Sequence, residues 1–469
     1  MIKLSIGEIA AITGGTILHA DPQKVLQGPI EFDSRKPATI FLALKGARVD
    51  GHDFAEQAVA DGAELVICAR EINGSTPIPQ IIVPPVELTE TNAVAFEHDP
   101  TGQMRAVVHA LGLIAAANVR NVNVIGVTGS AGKTSTKDML AAIFESMGPT
   151  VSPIGSFNNE IGLPYTATQV DEHTDYLIAE LSARAIGNIA DLCNIVHPRT
   201  GVVLNVGTAH VGEFGSQENI AKAKSELPAA LPAEGVAILN GNDPRVAAMT
   251  SNARIVYYGI EGGVDKLEKP LDYAARNIRL DRLARPVFDL VVGEKEYPVS
   301  LKVYGLHNVS NAVAALAAAI ENGAAPEAAI AALETYRPRS PHRMDVREVG
   351  GSIIIDDAFN ANPSSMKAGL AAAAHIAKEN NLPLVPVVGI MGELGDEAEA
   401  AYADLSPQDA IAVGVTSYKD ATVVDDAEQA LTLVRDRLPA VVFVKASRSA
   451  ALWTVAETLV EEINVKEEG

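Results

Sequence analysis

The segment Ile125-Gly-Val-Thr-Gly-Ser-Ala-Gly-Lys-Thr-Ser-Thr136 closes a continuous apolar run, Val122 to Val127, and opens a helical pattern near Lys133. Strand, glycine turn and helix in that order make a phosphate cradle. The glycines let the backbone turn tightly enough for several N–H groups to point inward, and the helix start adds a partial positive charge. Lys133 then reaches the terminal phosphates of a nucleotide, and the Thr134 hydroxyl reaches Mg²⁺. Five residues before Gly132 stands Val127, not Gly, so the loop is the shorter Gly129-x-x-Gly-Lys-Thr134 form. The competing reading, a glycine turn with an incidental lysine, is disfavoured by the strand before it and the helix after it.

Outward from this loop, buried-type strands are expected at Tyr176–Leu181, Gly201–Val206, Val236–Leu239 and Ile255–Tyr258, with helical patterns between most of them. That alternation predicts a doubly wound, mostly parallel sheet covered on both faces. Val287–Tyr304 alternates about the polar Gly293-Glu-Lys-Glu296 and predicts a hairpin at one edge. Two Ala-rich helices run on to about Tyr336. Upstream, residues 1–98 hold short apolar runs (Thr39–Leu44, Glu64–Cys68) and read as a small mixed α/β unit, joined through the polar linker Glu97–Gly102. Downstream, Arg337-Pro-Arg-Ser-Pro341 is extended and helix-breaking. Beyond it, strands at Ile353–Asp356, Leu384–Ile390 and Val441–Val444 predict a smaller Rossmann-like unit, and the tail from Val465 is expected to fray. The expected organisation is therefore α/β with three domains: 1–98, 99–341 and 342–469.

Composition narrows the function. The 469 residues, 48% hydrophobic and 20% charged, fit about three globular domains. Thirty-seven Lys plus Arg against 59 Asp plus Glu give a formal charge of −22. A surface that acidic repels polyphosphate backbones, so nucleic acid is not the expected partner. No apolar run reaches the ~18 residues of a membrane span, and Met1–Ala10 lacks a secretory pattern. Cys68 and Cys193 are too few and too far apart for a disulfide framework, which fits a reducing cytosol. A soluble cytoplasmic protein is expected.

Two further side chains fall on the edge of the sheet where open α/β proteins bind ligands. Glu180 ends its strand, and its carboxylate suits a hard divalent cation. The competing role is capping of the next helix. His210, in Gly207-Thr-Ala-His-Val-Gly212, follows the next strand. A loop histidine is more often structural, and imidazole prefers softer metals than Mg²⁺. From the residues alone the reading stops at a nucleotide-dependent enzyme with Mg²⁺.

Taken together, these residues resemble the Mur ligase family, ATP-dependent amide-forming enzymes of peptidoglycan assembly, from about Asp33 to Ser449. The matching motifs in the centre are the Thr128–Thr134 loop, Asn158-Asn-Glu-Ile-Gly-Leu-Pro164, Glu180 and the block His210–Lys224. Leu239-Asn-Gly-Asn-Asp-Pro244 and Gly305-Leu-His-Asn-Val-Ser-Asn311 also match. Towards the C-terminus His342-Arg-Met344 and Asp356-Asp-Ala-Phe-Asn-Ala-Asn-Pro363 are similar to the family's arginine and aspartate blocks. The aspartate block and Gly389-Ile-Met-Gly-Glu-Leu-Gly395 most resemble the ligase of the last cytoplasmic step. Asp33-Ser-Arg35 and Asp50-Gly-His-Asp-Phe54 are similar to the family's UDP-sugar-binding domain. There are departures. The chain is about two residues shorter than the family pattern between Arg35 and Phe41. Lys445-Ala-Ser-Arg448 has Ala for the usual Gly, and Leu452-Trp453 replaces an expected Met-Glu, so this block is left out of the expected site.

The resemblance implies addition of D-alanyl-D-alanine to UDP-N-acetylmuramoyl-tripeptide through an acyl phosphate, serving cell shape and division, by a monomer that uses ATP and two Mg²⁺. It implies that Gly129, Ser130, Ala131, Gly132, Lys133, Thr134 and Ser135 hold the phosphates. Asn308 and Asn311 would lie near the adenine, Asp357 near the ribose, and Arg343 at the γ phosphate. Thr134, Glu180 and His210 become metal ligands, joined by Lys224 once carbamylated by CO₂; Lys222 is the register alternative. Ser34, Arg35, Lys45, Asn158, Asn360 and Asn362 are the expected substrate contacts. For Asn308 the plain alternative is capping of the helix it opens. Rival functions are the preceding amino-acid-adding Mur ligase, whose Asp-Asn-Pro-Arg motif is not found here, a folylpolyglutamate synthase, a P-loop regulatory ATPase, and a non-catalytic nucleotide-binding scaffold.

Overall fold

Three large sheets, each drawn from its own stretch of chain, and a two-stranded one pairing Leu4–Ser5 with Val25–Leu26 organise the computed structural model, which describes residues 3–46, 49–207, 211–262, 269–392, 398–405 and 407–468. The largest has nine strands in the order Lys295–Ser300, Pro286–Val292, Tyr273–Leu280, Arg254–Ile260, Val236–Asn240, Thr200–Val203, Asn123–Thr128, Tyr176–Glu180, Thr150–Val151. Its members are parallel except where Pro286–Val292 pairs antiparallel with both neighbours, the expected edge hairpin. Thr200–Val203 and Val236–Asn240 are buried at every position, because helices cover both faces and leave no solvent side for alternating polar residues. The strand expected over Gly201–Val206 stops at Val203; beyond it Asn205 turns out to bond the glycine loop.

The N-terminal sheet has five strands, Thr16–Leu18, Gln80–Ile82, Leu65–Cys68, Ile40–Leu42 and Ile30–Glu31, with only the first antiparallel to its neighbour. The helix Gln103–Asn118 crosses from this unit to the next. Ala106, Val107, Ala110, Leu111 and Ile114 complete the core formed by Ile9, Leu42, Leu65 and Ile81, while Ala115 packs with Val119 and Val124. The C-terminal sheet has six strands in the order Asp345–Val349, Ser352–Asp356, Val441–Lys445, Leu384–Val388, Ile411–Val413, Thr422–Val424. The last helix runs Trp453–Glu468, so the tail expected to fray from Val465 continues it. Among the described residues, no helix is long and apolar enough to cross a membrane.

Candidate active site

The glycine loop is held from the neighbouring strand's loop. Ser130 N donates to Asn205 O at 3.0 Å and Ala131 N to Asn205 Oδ1 at 2.9 Å, while Asn205 Nδ2 returns a bond to Ala131 O. Gly132 has φ +84°, and a Cβ there would stand 2.6 Å from Asn311 Oδ1. Both the left-handed backbone and the close asparagine require glycine. From Gly132 the helix Lys133–Glu145 begins, and Lys133 Nζ donates to Gly129 O at 2.7 Å.

Thr134 and Glu180 meet at the end of the sheet. Thr134 Oγ1 donates to Glu180 Oε2 at 3.0 Å, and Asn158 Nδ2 donates to Glu180 Oε1 at 2.7 Å. Ser156 Oγ lies 3.0 Å from Thr134 Oγ1. These donors are oxygens or an amide, the set a hard divalent cation prefers. Among the described residues no group of three or more His, Cys, Asp or Glu could form a metal cage. The Thr134 hydroxyl and the Glu180 carboxylate are oxygen ligands of the kind a Mg²⁺ that keeps waters and borrows phosphate oxygens takes. His210 lies outside the described residues. Lys224, on the helix Gln217–Ala229, is buried, whereas Lys222 is exposed. Burial, and then the neighbouring Lys133 charge, hold the Lys224 ammonium pKa well below the ordinary lysine range.

The C-terminal unit brings its own groups to the same place. His342 and Met344 both have positive φ, 58° and 51°, a strained turn that presents Arg343 between them. The turn is gripped by the two aspartates: His342 Nδ1 lies 2.7 Å from Asp356 Oδ2, and Met344 N donates to Asp357 Oδ1 at 3.1 Å. Trp453 stacks on the His342 ring. Arg343 Cζ sits 4.2 Å above the Phe359 ring centroid, and burial pulls its guanidinium below its ordinary range against the pull of Glu180 and Asp357. Lys445 Nζ is buried and donates to Asp357 Oδ2 at 2.6 Å and to Asn360 O at 3.0 Å.

One cavity of about 680 Å³ joins these parts. Ser130–Ser135, Asn158, Glu180, Asn308, Asn311, Arg343, Asp357, Asn360 and Asn362 all line it. Asn308 does not open its helix, which begins at His307; its Nδ2 donates to Tyr304 O and its Oδ1 accepts from Asn311. Asn362 is the capping residue of the helix Pro363–Asn380. Ser34, Arg35 and Lys45 are not brought to this cavity. Arg35 instead closes on the Asp33 carboxylate through Nε and Nη2, each at 2.8 Å, and Lys45 pairs through its backbone with Asp50.

The Mur ligase family catalytic domain matches residues 33–124, the Mur ligase middle domain 127–319, and the Mur ligase glutamate ligase domain 342–462. UDP-N-acetylmuramoyl-tripeptide--D-alanyl-D-alanine ligase of Mycobacterium tuberculosis (strain ATCC 25618 / H37Rv) is 42% identical over 98% of both chains. The chain belongs to the Mur ligase family. A protein of the same name from Escherichia coli (strain K12) is 30% identical over 98% of this Mur ligase and 99% of its own length. The crystal structure of MurF from Acinetobacter baumannii superposes with a TM-score of 0.82 at 30% identity, covering 98% and 99% of the two chains.

Lys445, set aside with its block because that block departs from the family pattern, lines the cavity of this Mur ligase; it follows four buried apolar residues at the carboxyl end of its strand, the same position that singles out Glu180. His307 and Ser156 are among the cavity residues that the sequence reading did not single out. His307 lies within a matching motif and lines the cavity with its buried ring; burial keeps the imidazole pKa low. Ser156 carries no motif signal.

Proposed function

We propose that this Mur ligase joins D-alanyl-D-alanine to UDP-N-acetylmuramoyl-tripeptide at the expense of ATP, as a cytoplasmic monomer, with domains divided at 98/99 and 341/342. The observation that carries the reading is the single cavity lined by the phosphate loop, Glu180 and Arg343. A carboxylate does not acylate an amine at neutral pH, because its oxygen is a poor leaving group. Phosphorylation supplies a better one: a carboxylate oxygen attacks the γ phosphorus, ADP departs, and the dipeptide amine then attacks the acyl carbon and expels phosphate.

Lys133 and the N–H groups at the helix start, Gly132–Ser135, bind the β and γ phosphates within the loop Gly129–Ser135, whose Ser130 and Ala131 N–H groups are held by Asn205, and Arg343 approaches the γ phosphate from the C-terminal unit. Thr134 and Glu180 would hold one Mg²⁺, and His210 is assigned to a second. When bound, the metal supplies charge neutralisation on the transferred group. Asn308 and Asn311 face the adenine and Asp357 the ribose. Lys224 takes up CO₂ as a carbamate, releasing a proton and becoming an anion that Mg²⁺ tolerates. Asn158, Asn360 and Asn362 contact the peptide ends, while Ser34, Arg35 and Lys45 serve the UDP end outside the cavity. The protein's contribution is positioning and electrostatic stabilisation.

The test is phosphate release coupled to mass spectrometry of the product. Release that requires both the UDP-tripeptide and D-alanyl-D-alanine, with a product heavier by the dipeptide less water, is the expected result. Turnover of ATP alone at the same rate means a nucleotide switch instead.

A further inference from the structure

Arg343 projects from a turn that glycine would form without strain, and this chain builds it from larger residues. His342 and Met344 flank the arginine at φ 58° and 51°, a backbone that such residues keep only where other contacts fix it. The chain enters the turn already pinned to the helix of the phosphate loop. Ser340 Oγ donates to Asp138 Oδ2 at 3.0 Å, and the Arg339 guanidinium pairs with Glu145. It leaves the turn as an edge strand, with Asp345 opposite Asp356. Between these fixed points the conformation is decided at His342.

Three contacts converge on that residue. Its carbonyl accepts from Phe359 N at 3.0 Å, and the Phe359 ring is the seat of the Arg343 guanidinium. Its Nδ1 lies 2.7 Å from Asp356 Oδ2; a carboxylate only accepts, so Nδ1 carries the hydrogen. Asp356 is fixed in turn, because its Oδ1 accepts from Ala358 N at 3.1 Å. Trp453, the first residue of the last helix, covers the imidazole with centroids 4.9 Å apart and planes 21° from parallel. Bond and stack together hold both side-chain torsions of His342, and with them the left-handed backbone next to Arg343. Trp453 belongs to the block that departs from the family pattern. His342, Asp356 and Trp453 do not line the cavity, so their effect on the reaction passes through Arg343.

We propose that His342, clamped between Asp356 and Trp453, is a positioning residue for Arg343: the clamp sets where the guanidinium meets the γ phosphate. The inference rests on the role proposed above for Arg343. A donor aimed at a transferring phosphoryl group loses much of its effect when it is misplaced by about 1 Å. Glycine at 342 keeps the left-handed backbone at no steric cost and removes the clamp, so it separates the position of Arg343 from the stability of the fold.

The experiment uses the full chain with ATP, Mg²⁺, UDP-tripeptide and D-alanyl-D-alanine. His342→Gly is expected to lower kcat about tenfold and to leave KM for ATP within about twofold, with the unfolding temperature unaltered. In an Arg343→Lys background the same substitution is expected to change kcat by less than about twofold, because the group it positions is already gone. Trp453→Ala follows His342→Gly, and Trp453→Phe, which keeps a ring face, recovers most of the kcat. A tenfold loss in both backgrounds, a loss confined to KM, or no loss beside the native arginine overturns the proposal. If His342→Gly unfolds early, Trp453→Ala and Trp453→Phe carry the same cycle. Failure of the reaction itself is read separately, as absence of amide product from the unaltered protein. In that event the cycle is read as the ratio of affinities for a non-hydrolysable ATP analogue and ADP, since only the analogue presents a γ phosphate to Arg343. A ratio that falls in His342→Gly beside the native arginine alone supports the clamp, and an unchanged ratio overturns it.

Discussion

Arg343 Nη2 donates to Ser156 Oγ at 3.1 Å, tying the C-terminal unit to the loop beside Thr134. The guanidinium is also seated on Phe359, so its position is determined by a planar contact as well as by charge. Lysine supplies charge without the plane or the fork. Arg343→Lys is expected to lower kcat by about 10²- to 10³-fold, as loss of a transition-state donor does, with the fold intact. Steady-state phosphate release beside a circular dichroism spectrum checks it; a kcat within threefold of the unaltered protein contradicts the assignment.

Lys445 and Asp357 form a buried ion pair with side chains 2% and 14% exposed. Removing one partner leaves the other charge desolvated, which costs about 3–5 kcal/mol, whereas removing both together costs less. Lys445→Met is therefore expected to destabilise the C-terminal unit by that amount, and Lys445→Met with Asp357→Leu to recover part of it. Urea unfolding of the single and double variants measures the coupling. Additive losses would mean that the pair is not interacting.

Much of this architecture is legible in the chain because parallel strands buried on both faces are continuous apolar runs, as in Val236–Asn240 and Val441–Lys445. The strand Asp345–Val349 is not legible that way. It is an edge strand, paired on one side only, and its Asp, Arg and Glu face solvent. The strands Ile411–Val413 and Thr422–Val424 are three residues each, too short for a period to show. In the site, the loop from Gly129 to Thr134 and Glu180 announce themselves by chemistry and position. Arg343, Asp357 and the asparagines needed family resemblance, because their meeting with Lys133 is produced by tertiary packing across some two hundred residues of chain.

Both cysteines are buried, and burial pushes each thiol up to about 12. The thiolate is the reactive form. The folded protein is expected to resist a disulfide reagent at about pH 8, and the unfolded chain to titrate both of its 2 thiols. Rapid labelling of the native protein would place Cys68 or Cys193 in an open pocket instead.

His52 gives the N-terminal unit an acid limit. Its ring is buried, with Nδ1 2.6 Å from Asp50 Oδ1 and Nε2 3.2 Å from Ala69 N. A backbone N–H can only donate, so Nε2 accepts, and the neutral tautomer carries its hydrogen on Nδ1 towards Asp50. Protonating Nε2 would break the Ala69 bond and place a cation in the core. Burial accordingly lowers the imidazole pKa, with Arg70 acting in the same direction and Asp50 and Asp53 opposing. An unfolded histidine titrates near ~6.5. Between that value and the lower folded one, the unfolded chain binds more protons, so stability rises with pH there and is lost on acidification, by at most about 1.4 kcal/mol per pH unit for this group. Asp50, whose pKa the pair lowers, adds loss in the same direction at still lower pH. His52→Gln keeps a donor and an acceptor but does not titrate. Its unfolding free energy is expected to lie below that of the unaltered protein at neutral pH and to converge with it as pH falls towards 5. Parallel curves for the two proteins across that range would show that the imidazole is free to protonate in the folded state.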